Sequence, residues 1–597
     1  MTRVLFIMLT AVWGTAAAAQ QAADAVAPEA EAPTGDIAFS AAAGEAHAAK
    51  AAGRPVAAED WMVVAANPHA VTAGAEVLAR GGTATDAMVA VQAMLGLVEP
   101  QSSGLGGGAF LVRHDGATGE ITTLDGRETA PHAADPTLFL DTAGKPLDFF
   151  EAVVGGRSVG TPGTPALMEA AHRRWGRLAW APLLDPAIRR AEDGFAVSPR
   201  LASLVARDAE RLARFAPTRA YFLPEGRPLA AGEILRNPDY ADTLREMQAE
   251  GAAAIYTGGI AADIVETVQG APGNPGRLSE ADLALYEVRE RAPVCAPYRG
   301  HEVCGMGPPS SGGLTVGQIL GMLEHFDLAA MGPDSAEAWR LIGDASRLAF
   351  ADRGRYMADS DFVPVPVEGL TDRDYLAARA RLLEGAEALA PDRVTPGEPE
   401  FDHALDWGAG RSPERPSTSH ISIVDSDGNV LSMTTTIENA FGSRLMVRGF
   451  LLNNELTDFS FRTHADGRPV ANAPAPGKRP RSSMAPTILR RDGAPVLALG
   501  SPGGSAIIGY VAKTIVAHLD WGMDVQAAVA LPHLVNRFGP YDLEADAGLE
   551  GLAGDLEALG YEVNRRALTS GLHAIALGED GLRGGADPRR EGIALGE

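Results

Sequence analysis

The feature that most narrows the folds open to this chain is an abrupt change of texture at Thr418. The stretch 391–416 is proline-rich and polar, a linker by composition. Directly after it, His420-Ile421-Ser422-Ile423-Val424 alternates polar and apolar residues in the manner of a half-buried strand. Residues 425–429 carry turn chemistry, and 430–436 alternates again. The pattern predicts a hairpin that starts at Thr418 without any lead-in. Further short strands are expected at 61–64, 109–112 and 496–499. Helices are expected at 68–80, closed by Gly81-Gly82, and at 86–98, ahead of Pro100. Others follow at 165–175, 314–326, 336–356, 372–383 and 506–521. Strands paired in the middle with helices outside them make a layered α+β sandwich.

Composition removes several alternatives. The 597 residues carry a net charge of −26, the wrong sign for neutralising nucleic-acid phosphates or docking on an anionic membrane. Hydrophobic residues at 46% and charged residues at 21% are ordinary for a globular protein, which excludes global disorder. At the N-terminus, Arg3, the apolar stretch 4–12 and Ala17-Ala18-Ala19 before Gln20 read as a signal peptide over 1–19. The protein is therefore expected to be exported, periplasmic or secreted. That apolar stretch is shorter than the roughly 18 residues a span requires, so no membrane anchor is expected after signal removal. Residues 20–58 are alanine-rich without apolar periodicity and read as a flexible leader, with order beginning near Trp61. The two cysteines, Cys295 and Cys304, flank a hairpin turning near Arg299-Gly300. They face each other either as a disulfide or as two buried thiols. No residue spacing suggests a metal site, and no cofactor is implied.

Three constellations have chemical potential. The run 104–109 fits a loose GxGxxG/A pattern, but a dinucleotide loop needs a strand before it and a helix after it, and here the order is reversed. A tight turn between layers is the better reading. Gly156-Arg157-Ser158-Val159-Gly160 fits GxSxG, yet Pro162, Gly163 and Pro165 separate Ser158 from the next helix, which favours a structural turn. The third is Thr418-Ser419-His420. A threonine hydroxyl is a weak nucleophile without an adjacent base. Cleavage of the Ser417–Thr418 bond would give Thr418 a free α-amine, with a pKa near 8, beside its own hydroxyl. Before cleavage the same hydroxyl can attack the Ser417 carbonyl, and an N→O acyl shift then yields an ester that water hydrolyses. Gly500-Ser501-Pro502-Gly503-Gly504 offers unobstructed N–H groups for an oxyanion. Arg127 with Ser482-Ser483 could clamp a carboxylate, and Glu455 with Asp458 could accept from an ammonium.

These motifs closely resemble the γ-glutamyltranspeptidases, also called glutathione hydrolases, from about residue 60 to the end. The resemblance is carried by "EPQSSGLGGGAF" (99–110), "LDGRETAP" (124–131), "PPSSGG" (308–313), "TSHISIVDSDGNV" (418–430), "GFLLNNELTDFS" (449–460), "KRPRSSMAPTI" (478–488) and "GSPGGS" (500–505). It implies a four-layer αββα N-terminal nucleophile hydrolase sandwich, formed jointly by a large subunit, 59–417, and a small subunit, 418–597, cut from one precursor. It further implies Thr418 as nucleophile, Thr436 as the threonine that positions it, and Gly503 and Gly504 as oxyanion donors. Arg127, Ser482 and Ser483 would bind the substrate α-carboxylate, and Glu455 and Asp458 the α-amine. The partners implied are small γ-glutamyl substrates and amine acceptors.

Two departures from the family pattern stand out. Glu438 occupies a position where the family usually has Asn, which adds charge near the nucleophile and removes a donor. The stretch between Asp458 and Ser482 is a few residues shorter than in members that cover the site with a lid. The reading is a self-processing γ-glutamyl hydrolase and transferase. The alternatives are a related acylase acting on other amides, such as glutaryl-β-lactams, and a catalytically silent scaffold of the same fold.

Overall fold

The structure, a computed structural model, describes residues 40–402, 406–410 and 417–597. The expected signal peptide and residues 20–39 of the expected leader lie outside the described residues, as do parts of the 391–416 linker.

Two seven-stranded antiparallel sheets lie face to face. In the first, the strand order is Ile593–Gly596, Met62–Ala65, Ser419–Val424, Val430–Thr436, Gly108–His114, Ile121–Gly126 and Arg289–Arg291. The second runs Val56–Ala58, Gly581–Ala586, His573–Gly578, Ala494–Gly500, Thr487–Arg491, His301–Gly305 and Val294–Tyr298. The expected hairpin is central to the first sheet. It pairs Ser419 with Thr435 and Val424 with Val430, and Asp425 closes the turn by accepting from the amides of Asp427 (3.1 Å) and Asn429 (3.0 Å).

The period-two side chains divide three cores. Ile421, Ile423, Leu431, Met433 and Leu111 pack beneath helices Pro68–Ala79 and Ala84–Val98. Met62, Val64, Val112, Val424 and Val430 meet Ile488, Ala498 and Ile575 between the sheets. Leu489, Leu497 and Leu499 pack on the far side against helices Gly312–Leu323, Ala336–Tyr356 and Ile507–Leu519. The order is helices, sheet, sheet, helices, the four-layer αββα sandwich. Helix Ala84–Val98 starts two residues before its expected start because Thr83 and Asp86 form a reciprocal capping box.

Two expectations are corrected. Residues 40–58 are not wholly a flexible leader. Ala41–Ala51 is a helix, capped by Ser40, whose Ala43 and Ala46 are buried, and Val56–Ala58 is an edge strand paired with Gly581–Ala586. Alanine favours helix and needs little room, so this helix docks without the large apolar residues that make periodicity visible. The strand Ser419–Val424 is not half-buried either, because every residue in it is buried. His420 and Ser422 face the second sheet: His420 contacts the hydroxyls of Thr434 (2.9 Å) and Ser422 (3.0 Å), and Ser422 donates to the His573 carbonyl at 3.2 Å. Polar alternation here marks an internal hydrogen-bonded seam rather than a wet face.

Cys295 and Cys304 are directly opposed on adjacent strands, and their sulfurs are bonded. Ser158 lies in a short turn, where its hydroxyl donates to the Val153 carbonyl at 2.6 Å, away from any nucleophilic role. Among the described residues no helix is long and apolar enough to cross a membrane, and no cluster of metal-ligating side chains occurs.

Candidate active site

Thr418 is one residue ahead of its strand, where the hairpin ladder ends at Ser419–Thr435. The side-chain period of two then sets Thr418 and Thr436 on the same face, with their hydroxyl oxygens 3.1 Å apart. The Thr436 hydroxyl accepts from the Glu438 amide at 2.8 Å and lies 3.2 Å from the Ser417 carbonyl oxygen, to which it donates. The Thr418 hydroxyl also lies against that carbonyl oxygen. Ser417 is tethered by its own hydroxyl, which donates to the Gln101 carbonyl at 2.7 Å. The arrangement can carry out an acyl shift. A nucleophilic hydroxyl abuts the carbonyl it would attack, and a second hydroxyl is placed to hold the oxygen that becomes negative.

The glycine-rich run beside it has a steric reason. A Cβ on Gly107 would overlap the Thr436 carbonyl oxygen, so this segment packs directly on the end of the Thr418 hairpin. Its role is close backbone packing, as the turn reading required.

Arg127 follows strand Ile121–Gly126, and its amide donates to Asp125 at 2.9 Å. Its buried guanidinium reaches Glu455 through Nη1 and Asp458 through Nη2, and donates to the carbonyls of Pro480 (3.2 Å) and Arg481 (3.0 Å). Glu455 and Asp458 are three residues apart on one 3₁₀ turn, which aims both at the same point. Burial alone would lower the Arg127 pKa, but Glu455, then Asp458 and Glu128, raise it above its ordinary value, so the charge is secure. Glu128 is the reverse case. Burial first, then the neighbouring Glu455, push its carboxyl well above the usual carboxylate range. The arginine of the carboxylate clamp and the ammonium acceptors suggested by the sequence are therefore paired with each other.

Ser482 and Ser483 come alongside because Ser310 bridges Ser482 in a short parallel contact, and the Ser311 hydroxyl donates to the Ser482 carbonyl at 2.6 Å. The Ser482 hydroxyl accepts from the Met484 amide at 3.1 Å, and the Ser483 hydroxyl accepts from Arg353 Nη2 at 2.7 Å. Glu438 has a positive φ of 75°, and its carboxylate accepts from Asn454 Nδ2 at 2.6 Å. One cavity is lined by Thr418, Thr436, Arg127, Glu438, Glu455, Asp458, Ser482 and Ser483, together with Ser417 and Gly504. The structure thus brings together ten of the residues singled out in the sequence. Gly503 stands just outside that lining, with φ 142°, and a Cβ there would run into the Tyr510 ring at 2.6 Å.

Sequence reasoning missed three supporting residues. Arg353 joins the hydroxyls of Ser311 and Ser483, Tyr286 donates to the Arg127 carbonyl at 2.8 Å, and Arg590 donates to the Thr418 carbonyl at 2.9 Å. Only the spacing of "PPSSGG" hinted at any of this, and it named no partner.

Comparison with known proteins agrees with this geometry. The sequence profile of the family described as Gamma-glutamyltranspeptidase matches residues 70–597. The chain is 38% identical over 551 residues to the glutathione hydrolase proenzyme of Bacillus subtilis (strain 168), covering 90% of this chain and 92% of that one. It is 36% identical to the acylase ACY 1 proenzyme of Pseudomonas sp. (strain SE83), over 91% and 94% of the two chains. Among solved structures it superposes on the cephalosporin acylase from Bacillus halodurans with a TM-score of 0.79 and 26% identity, over 91% of this chain and 97% of that one. With its fold, its opposed threonines and the profile match all in agreement, the chain belongs to the γ-glutamyltranspeptidase family of N-terminal nucleophile hydrolases.

Proposed function

We propose that the protein cuts itself between Ser417 and Thr418 and then transfers γ-glutamyl groups, from glutathione and related amides, to water or to amino-acid and peptide amines. The observation that carries this reading is the contact of Thr418 and Thr436 with the Ser417 carbonyl, in a cavity that also holds Arg127, Glu455 and Asp458. In the mature enzyme the Thr418 hydroxyl attacks the γ-carbonyl carbon while its proton passes to the Thr418 α-amine. The leaving amine takes that proton as the amide C–N bond breaks. Water or an acceptor amine then attacks the Thr418 ester and restores the hydroxyl. Arg127 and the two serines hold the α-carboxylate, Glu455 and Asp458 hold the α-ammonium, and Gly503 and Gly504 supply oxyanion donors. The substrate would take over groups that otherwise pair with one another. Residues 1–19 support export to the periplasm or beyond.

The test is mass spectrometry of the purified protein, with glutathione hydrolysis measured alongside. Wild type should yield a chain beginning at Thr418, whereas Thr418→Ala should stay uncut and inactive. A Thr418→Ala protein that cleaves at the same bond without added protease overturns the mechanism.

Relatives named as acylases favour a second reading, an acylase of other amides. Processed wild type that hydrolyses glutaryl amides faster than γ-glutamyl amides would decide for the acylase.

A further inference from the structure

Thr418 lies outside the hairpin ladder, so its carbonyl has no strand partner across the Ser419–Thr435 end and must be satisfied in another way. The group that satisfies it is Arg590, a buried side chain from the loop ahead of the last strand, whose Nη1 is 2.9 Å from the Thr418 oxygen. We propose that Arg590 is a positioning residue for the nucleophile: it fixes the Thr418 carbonyl, and its charge keeps the α-amine released by cleavage in the neutral, proton-accepting form, while Lys50 of the N-terminal helix locks the loop that carries it. The proposal rests on the reading of Thr418 as an N-terminal nucleophile.

The place for Arg590 is built. The Lys50 ammonium donates to the carbonyls of Arg590 (2.7 Å) and Gly592 (2.6 Å), spanning helix Ala41–Ala51 and the loop. The loop begins with a turn in which the Arg590 amide donates to the Asp587 carbonyl at 3.2 Å. The Asp587 carboxylate is held by the Ser570 hydroxyl and by the amides of Leu572 (3.0 Å) and Arg589 (2.9 Å). Gly571 leaves room for the stem, since a Cβ there would be 2.8 Å from Arg590 Cδ and 3.0 Å from Nε. Once the Ser417–Thr418 bond is cut, residue 418 becomes a chain end, and chain ends fray unless tied down. Arg590 supplies that tie.

The charge argument depends on everything that faces the same end of the strand. From the cavity side come Glu438, Glu455, Asp458 and the Arg127 guanidinium, with Glu128 beside Arg127 and Arg353 on the Ser483 hydroxyl. From the loop side come Arg590, Asp587 and Arg589, and from the N-terminal helix Lys50. The Glu591 carboxylate accepts from the Arg200 amide at 3.2 Å. His420 and His573 lie below. Burial holds His420 far under its ordinary value and brings His573 down to about 3, so neither adds charge at neutral pH. The carboxylates raise the affinity of the new amine for a proton, and Arg590 opposes them at the distance of one residue's backbone. A guanidinium that close lowers an amine pKa by about one unit at the effective dielectric of a protein.

The test uses full-length protein, processed as judged by mass spectrometry, with kcat/KM for γ-glutamyl-p-nitroanilide measured across pH. In Arg590→Gln the acid limb should move up by about one pH unit, and in Arg590→Lys it should stay within a few tenths of wild type. A limb unmoved in processed, active Arg590→Gln overturns the charge role. Should Arg590→Gln fail to mature, Lys50→Met decides. It should mature, lose several-fold in kcat with KM within twofold, and show its acid limb displaced upward; unchanged kcat and limb would sink the proposal. Wild type that is uncut or inactive on the γ-glutamyl substrate would instead refute the functional reading itself.

Discussion

Replacing Thr436 by valine tests the site at its narrowest point. The two residues have nearly the same shape and the same β-branching, so the strand and its pairing to Gly108 should persist. What disappears is one hydroxyl with three neighbours: the Glu438 amide at 2.8 Å, the Thr418 hydroxyl at 3.1 Å and the Ser417 carbonyl at 3.2 Å. A hydroxyl has a single proton. Since Thr436 accepts from Glu438, that proton is available to the Ser417 oxygen, where negative charge develops when Thr418 attacks. Removing one preformed oxyanion donor costs about 3 kcal/mol, or roughly 10²–10³ in rate. Separately, the buried Glu438 amide loses this acceptor, at about 1–3 kcal/mol of stability. Thr436→Val should therefore accumulate as full-length precursor, with the conversion followed on denaturing gels slowed by at least two orders of magnitude. Thr436→Ser, which keeps the hydroxyl, should mature within a few-fold of wild type. A folded Thr436→Val precursor that matures at the wild-type rate would refute the assignment.

Two further outcomes follow from the Arg127 cluster. Arg127→Lys retains the charge but loses the planar fork whose two nitrogens reach Glu455 and Asp458, so kcat/KM for glutathione should drop by about 10² or more while self-cleavage proceeds normally; unchanged kcat/KM in the processed variant removes Arg127 from substrate contact. Because the folded pKa of Glu128 is raised above its ordinary 4.5, the folded state holds a proton that the unfolded chain releases, and wild-type stability is lost as pH climbs from about 4.5 through the raised value. Glu128→Gln has no such proton to lose, so its Tm relative to wild type should rise between pH 5 and pH 8, and a difference independent of pH would show that Glu128 is ionised throughout.

How much could be read from the sequence depended on whether a feature was local. The hairpin after Thr418, the helix Ala336–Tyr356 and the facing cysteines are short-range patterns, and each lies where its pattern put it. The site residues were legible as separate motifs because each carries an unusual residue set, but their convergence was not, since Arg127 meets Glu455 and Asp458 across more than 300 residues of chain. Arg353 and Arg590 carried no signal at all. An arginine in a helix or a loop reads as surface until the carbonyl or hydroxyl it satisfies is known. The docked alanine helix failed for a related reason: its burial comes from small residues and from one lysine reaching two carbonyls, neither of which produces periodicity.

The pairing inside the cavity also separates the two reactions proposed for Thr418. Maturation involves the Ser417 carbonyl, Thr418 and Thr436, all supplied by the chain itself within hydrogen-bond reach. The proposed turnover would add a demand on Arg127, whose guanidinium is already paired with Glu455 and Asp458. A zwitterionic α-amino acid head can interleave with that pair, its carboxylate replacing the acids at Arg127 and its ammonium taking the acids in exchange, so no charge is left buried without a counterpart. A ligand with a carboxylate alone would compete with Glu455 and Asp458 for Arg127 and add a third negative charge to the cluster without supplying a cation. With the roles proposed above, self-cleavage would be indifferent to Arg127 while tight binding would require the α-ammonium, and Glu438, another carboxylate in the lining, would push the balance further the same way.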